Sequence, residues 1–106
     1  MSPPLVREFE IVNQRGLHAR ASAKFVQLVS NYAAEVRVEK DGVSVGGTSI
    51  MGLMMLAASP GCCIRVTAEG EQAAEVMAAL ETLIASRFGL EGFVLGAEGR
   101  LMLPVG

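Results

Sequence analysis

The 106-residue sequence contains no tryptophan, and aromatic residues make up only 5% of it. Proteins that hold single-stranded nucleic acid stack its bases on aromatic side chains, and this chain has few of them. It also lacks a basic excess, because nine lysines and arginines stand against eleven acids for a net charge of -2. Neutralising a nucleic-acid backbone requires a basic stripe. We therefore expect no nucleic-acid partner.

Cysteine is scarce as well, with two residues in the chain. Cys62 and Cys63 are adjacent, a spacing that builds no disulfide framework and lacks the second ligand pair of a zinc site. We expect reduced thiols, no bound metal and no other cofactor. No apolar run reaches the ~18 residues of a membrane span, and the first residues carry no signal-peptide pattern. These absences predict a soluble cytoplasmic protein without a membrane partner.

Hydrophobic patterns of two periods follow one another along the chain. Alternation of apolar and polar residues predicts strands, and apolar residues three and four apart predict helices. The strands are expected at 5–12, 35–39, 43–45 and 62–69, and the helices at 19–31, 48–56 and 72–88. Asp41-Gly42 predicts a tight turn, and Pro60-Gly61 should stop the second helix. The result is an α/β (α+β) fold of order βαββαβα, an open-faced β-sandwich whose four-stranded antiparallel sheet carries three helices on one face.

The chain length predicts one compact domain, which we place at 1–91, with a C-terminal extension at 92–106. Two apolar runs flank residues 96–99 in a hairpin-like pattern. We favour a weakly ordered terminus for this extension. An edge strand or a dimer contact that covers apolar residues is the alternative, and we expect a monomer.

The only histidine, His18, lies at the entrance to the first predicted helix. A lone histidine is more often a cap or a surface residue, but its setting here favours chemistry. The first-turn N–H groups of Ala19, Arg20 and Ala21 have no helical acceptor, and the helix dipole attracts anions. A neutral imidazole is a nucleophile near its reference pKa of about 6.5. The setting indicates phosphoryl chemistry on His18.

Basic side chains accompany this histidine. Arg20 offers charge-assisted hydrogen bonds to a phosphate. Arg15 precedes His18 by three residues and is a second phosphate-binding candidate, although a solvated loop charge is the simpler interpretation. Lys24 lies one turn beyond Arg20 and is expected to be solvated.

Two motifs together resemble a known family. Gly16-Leu17-His18-Ala19-Arg20, followed by Ala23-Lys24-Phe25-Val26 and by Ser49-Ile50-Met51-Gly52-Leu53-Met54, resembles the HPr phosphocarriers of the bacterial phosphoenolpyruvate-dependent phosphotransferase system. The resemblance runs from about Phe9 to Glu91. It implies that His18 takes a phosphoryl group on Nδ1 from phosphorylated Enzyme I and donates it to a histidine of an Enzyme IIA protein, with Arg20 stabilising the phosphate. The chain would be a carrier in a relay rather than a stand-alone enzyme, serving sugar uptake or the nitrogen-related regulatory branch.

The resemblance also assigns Ser49 to the regulatory serine that HPr kinase/phosphorylase modifies in many family members. A serine at a helix N-cap is a favourable place for added phosphate, because the dipole attracts it. Phosphate there should repel the acidic partner surface that reads the His18 site, and so act as a brake.

The residues after this serine are implied to form a docking patch, for which flexible methionines are suited. The patch comprises Ile50, Met51 and Met54, of which we expect Met51 to be the most exposed. Leu53 and Leu56 are assigned to the core.

Two positions depart from the family pattern. Ala21 stands where proline is usual, which adds one N–H to the first turn. Thr48 stands where lysine is frequent, which removes a positive charge beside Ser49. The alternative function is a non-transferring interaction or ligand-sensing module, since such architectures host many functions, but the setting of His18 disfavours it.

Overall fold

A computed structural model describes residues 3–90 in full and, for the backbone alone, residues 93–95 and 101–104. One antiparallel sheet contains the strands β1 (Leu5–Glu10), β2 (Glu35–Lys40), β3 (Val43–Gly46) and β4 (Cys63–Glu69). The helices are α1 (Ala19–Val29), α2 (Ile50–Met55) and α3 (Ala73–Ala85). The order βαββαβα and the four-stranded antiparallel sheet confirm the predicted open-faced sandwich.

The strands are arranged in the order β1-β4-β2-β3, so β4 lies inside the sheet. Its side chains alternate between the two faces. Ile64, Val66 and Ala68 are fully buried, whereas Arg65 is exposed and pairs with Glu39 of the neighbouring β2 at 3.3 Å. One face of the sheet is therefore apolar and covered, and the other is polar and open, as the alternation predicts.

A single hydrophobic core fills the space between the covered face and the helices. Phe25 and Val29 of α1 enter it four residues apart, and Val76 and Leu80 of α3 do the same. This spacing places each pair on one helix face. Burial of each such side chain stabilises the fold by about 1.5–3 kcal/mol. Leu53 and Leu56 are also buried, which confirms their assignment to the core.

The turn between β2 and β3 matches its sequence signal. Asp41 and Gly42 both have positive φ, at 51° and 82°. This is the combination that a two-residue hairpin loop requires, and Asp-Gly accommodates it with little strain. The turn therefore fixes the register in which Lys40 faces Val43.

Several elements are shorter than their hydrophobic patterns predict. β1 ends at Glu10 rather than at residue 12; its neighbouring strand β4 begins at Cys63, and Gly61 just before it has a φ of +90°. α1 ends at Val29 rather than at residue 31. There the Ser30 hydroxyl donates a hydrogen bond to the Val26 carbonyl, and the Asn31 amide donates one to the Gln27 carbonyl. These side-chain bonds compete with further helical bonds and favour the end of the helix.

Each of the other two helices ends two positions before a residue of positive φ, which is Ala57 after α2 and Arg87 after α3. α2 stops at Met55, before Pro60 is reached, because Ala57 adopts a φ of 52°. α3 stops at Ala85, and a short 3-10 helix over Arg87–Gly89 carries the buried Phe88 into the core. Hydrophobic periodicity extends through such breaks, so it does not locate them.

The C-terminal segment contains two further strands, β5 (Phe93–Leu95) and β6 (Leu101–Pro104), which pair antiparallel in a separate sheet. The pairing follows the hairpin-like pattern of the two apolar runs. The turn expected at 96–99 lies outside the described residues, and the domain boundary at 91 stays a prediction. Among the described helices, none is both long enough and apolar enough to span a bilayer.

Candidate functional site

His18 is the N-cap residue of α1. Its backbone is extended, with φ -73° and ψ -178°, and its Nδ1 atom accepts a hydrogen bond of 3.1 Å from the backbone N–H of Arg20. The His18 carbonyl accepts the first helical bond, from the N–H of Ser22 at 2.9 Å. The imidazole thus occupies the place that a serine or aspartate side chain usually takes at a helix start.

This bond sets the direction of the imidazole ring. A nitrogen that accepts a hydrogen bond presents a lone pair rather than a proton, so Nδ1 carries the lone pair in this arrangement. The ring is half-buried, which limits its freedom to rotate. The nucleophilic atom therefore points at the positive end of the α1 dipole, where an added anion would be stabilised.

The first-turn N–H groups differ from the prediction in one respect. Ala19, Arg20 and Ala21 are the first three residues of α1, as predicted. The Arg20 N–H, expected to be unoccupied, is bonded to His18. The reason is that the capping ring satisfies a helix donor that the sequence alone leaves without a partner. Ala21 is fully buried.

The charged residues near His18 in the sequence are all of one sign. Arg15, Arg20 and Lys24 are exposed, and the sequence has no acidic residue between Glu10 and Glu35. Cations near a helix N-terminus oppose the helix dipole and are unfavourable on their own. An anion bound at this terminus would reverse that balance, so the arrangement suits a negatively charged group.

The backbone before His18 rests on the loop that follows α2. Gly16 has a φ of +63°, and a Cβ at this position would collide with the carbonyl oxygen of Ala58. Leu17 donates its N–H to that same oxygen at 2.9 Å, and its side chain is buried. The loop carrying the histidine is thus fixed against a segment more than 40 residues away in sequence.

Ser49 is the N-cap residue of α2, as its sequence position predicts. Its backbone is extended, and its Oγ accepts a hydrogen bond of 3.0 Å from the N–H of Gly52. The residue is exposed, as is Thr48 before it. α1 and α2 contact each other, so the two capped helix starts belong to one layer of the fold.

An exposed apolar patch follows Ser49 on α2. Met51 is 75% exposed, more than Ile50 or Met54, which confirms its predicted rank. Met55 is also exposed, at 76%, although it was not among the residues predicted for the patch. Met55 follows Met51 by four residues, which places both side chains on one helix face. This spacing in the sequence could have predicted that Met55 is exposed together with Met51.

The two cysteines are further side chains that could take part in chemistry. Cys62 and Cys63 are free thiols, of which Cys63 is exposed. A hydrogen bond with Ser59 lowers the pKa of the Cys62 thiol. Within the part of the chain that the structure describes, no three His, Cys, Asp or Glu side chains are grouped so that they could hold a metal ion.

The fold is an open-faced sandwich, and a histidine caps its first helix. The same stretch of sequence carries cations and no carboxylates. These features define a small domain suited to binding an anionic group at the start of that helix. A family model described as the PTS HPr component phosphorylation site matches residues 5–86. The phosphocarrier protein HPr of Neisseria meningitidis serogroup B is 51% identical over 85 residues, which cover 80% of this chain and 96% of the relative. The HPr of Cupriavidus necator is 47% identical with the same coverage.

A solved structure agrees with these sequence matches. The crystal structure of HPr-C-His from Thermoanaerobacter tengcongensis superimposes with a TM-score of 0.77 at 44% identity, and the match covers 80% of this chain and 96% of that one. The chain belongs to the HPr family, the phosphocarriers of the phosphotransferase system.

Proposed function

We propose that the chain carries its phosphoryl group on Nδ1 of His18, accepting it from phosphorylated Enzyme I and passing it to a histidine of an Enzyme IIA protein. The observation that carries this proposal is the 3.1 Å bond in which Nδ1 accepts from the Arg20 N–H. It holds the lone pair of Nδ1 at the helix start, where a phosphoryl group would be stabilised.

The transfer itself needs little covalent chemistry from the protein. The Nδ1 lone pair attacks phosphorus, the bond from phosphorus to the donor breaks, and the proton on Nε2 stays in place. Phosphoryl transfer of this kind is accelerated chiefly by positioning and by electrostatic stabilisation of the phosphoryl oxygens. As the N–P bond forms, the Arg20 N–H exchanges Nδ1 for a phosphoryl oxygen.

Other groups of the site share the phosphoryl charge. The N–H group of the exposed Ala19 belongs to the same first turn, and the Arg20 guanidinium adds charge-assisted bonds. The N–H group of Ala21 is buried in this structure and adds only to the helix dipole. Arg15 contributes from the preceding loop. Arg15 and Arg20 are exposed, so water screens them and their hold on phosphate stays moderate. Moderate binding suits a carrier, which must release the group to the next protein.

Partner docking and regulation are placed on α2. Ile50, Met51 and Met54 provide an exposed apolar surface for Enzyme I and Enzyme IIA. Ser49 at the start of this helix is the residue that HPr kinase/phosphorylase would modify. We place the protein in the cytoplasm as a monomer, in sugar uptake or in the nitrogen-related branch.

Labelling with radioactive phosphoenolpyruvate and Enzyme I tests this proposal. The wild-type chain should acquire an acid-labile label, His18→Ala should acquire none, and Ser49→Ala should be labelled as the wild type is. His18→Ala should keep its fold, as measured by circular dichroism. An unlabelled wild type, or a label that persists in His18→Ala, would contradict the proposal.

A further inference from the structure

Two buried polar side chains lie next to the His18 segment. Asn13 is 1% exposed and Ser22 is 0% exposed, and across residues 3–90 these are the polar side chains classed as buried. Burying a polar group is unfavourable unless a hydrogen bond compensates for it. Both side chains direct their donors to backbone carbonyls immediately before His18. This shared target indicates a role beyond filling space.

Asn13 closes the turn that leads to the histidine. Its Nδ2 donates to the carbonyl of Gly16 at 2.8 Å, and the N–H of Gly16 spans the same turn to the Asn13 carbonyl at 3.4 Å. The Oδ1 atom of Asn13 is buried and has no hydrogen-bond partner in the described part of the chain. An unsatisfied buried acceptor destabilises a fold, so the Asn13 amide costs stability at this position while its Nδ2 closes the turn.

Ser22, in the first turn of α1, forms hydrogen bonds with Leu17 and His18. Its Oγ donates to the carbonyl of Leu17 at 3.2 Å, and its N–H donates to the carbonyl of His18 at 2.9 Å. The N–H of Leu17 is bonded to Ala58. Both ends of the Leu17 residue are therefore held, and the direction in which His18 leaves the backbone is determined by these bonds.

We propose that Asn13 and Ser22 are positioning residues for His18. They act on the carbonyls of Gly16 and Leu17, and through them keep Nδ1 on the Arg20 N–H. Neither side chain touches the phosphoryl group. This inference rests on the proposed function, because it assigns these residues to the chemistry of the same histidine. A misplacement of about 1 Å is enough to slow a positioned reaction by up to about 100-fold.

The test compares two alanine substitutions with two controls of the same residue types at exposed positions. Asn13→Ala and Ser22→Ala remove the proposed bonds. Asn31→Ala and Ser30→Ala remove bonds of the same kind at the far end of α1, where the Asn31 amide and the Ser30 hydroxyl also donate to carbonyls. We expect the first pair to lower kcat for phosphoryl acceptance from Enzyme I about tenfold with KM within about twofold, and the controls to keep both constants.

A second measurement separates positioning from general loss of structure. Nitrogen NMR of the folded variants reports which ring nitrogen of His18 carries the proton, and the first pair should lose the preference for an unprotonated Nδ1. If Asn13→Ala does not fold, Ser22→Ala, which removes one oxygen atom, decides the matter. Unchanged kcat and unchanged ring signals in Ser22→Ala would overturn the inference. If the wild type accepts no phosphoryl group, the proposed function fails, and the ring signals still test the positioning role.

Discussion

Two helix starts in this molecule use the same capping device in different surroundings. His18 accepts an N–H from the second residue of α1 through Nδ1 at 3.1 Å, and Ser49 accepts one from the third residue of α2 through Oγ at 3.0 Å. The first start is held by buried bonds and has cations beside it in sequence. The second is exposed and is followed by apolar side chains, with no charged residue in α2.

The difference indicates what turns a cap into a phosphoryl site. Both caps lie at a positive dipole end, so the dipole alone does not distinguish them. The start of α1 adds a nucleophilic nitrogen, the exposed cation Arg20 and a fixed backbone. Phosphate at Ser49 would meet capping donors but no cation on α2, and it would introduce charge at the edge of the exposed apolar patch. This contrast supports the proposal that His18 transfers the group and that Ser49 controls access to it.

The largest effect should come from disturbing the fixed backbone of the first start. Gly16→Ala adds a Cβ that collides with the Ala58 carbonyl, and Gly16 itself has a φ of +63°, which an alanine adopts only with strain. Gly42→Ala is the matched control, because Gly42 also has a positive φ, of +82°, but open space around it. We expect Gly16→Ala to lower the free energy of unfolding by about 3 kcal/mol or more, and Gly42→Ala by about 1–2 kcal/mol. Urea unfolding measures both, and equal losses would contradict the proposed anchoring.

The next effect concerns the cations of the first start. Arg20→Ala should reduce kcat/KM for phosphoryl transfer about 100-fold, because it removes the cation proposed to stabilise developing phosphoryl charge. The free energy of unfolding should change little, since the side chain is exposed. Lys24→Ala, one turn further along α1, is the control and should cost less than about threefold. Stopped-flow transfer from phosphorylated Enzyme I measures both. Equal effects would assign the cations to general electrostatic attraction rather than to the site.

The sequence predicted the elements of the fold but not the bonds that shape its site. β4 and α1 have one-sided patterns of 2 and 3.6 residues, and these periods follow directly from strand and helix geometry. The cap at Ser49 is equally local, because the helix donor lies three residues away. Gly16 packs closely against the backbone of Ala58, which is 42 positions away in sequence, and no local pattern encodes this contact. The same holds for Asn13, whose burial depends on how the surrounding loops pack.

The smallest effect tests whether the second start is a cap, a switch, or both. Ser49→Ala removes the Oγ acceptor of the Gly52 N–H, and we expect a loss of about 1 kcal/mol, or a Tm lower by about 4–8 °C. Ser49→Asp and Ser49→Asn both retain a good capping oxygen, so each should unfold close to the wild type. They differ in charge alone.

Transfer kinetics then use that difference. Ser49→Asp places a negative charge beside Ile50 and Met51, where a partner must remove water on docking, so the KM for Enzyme I should rise several-fold while kcat is retained. Ser49→Asn should keep the wild-type KM, because it changes the shape of the cap without adding charge. If the two variants raise KM equally, shape rather than charge governs docking at α2. The brake by phosphate would then lose its physical basis, and Ser49 would be a cap like any other helix-starting serine.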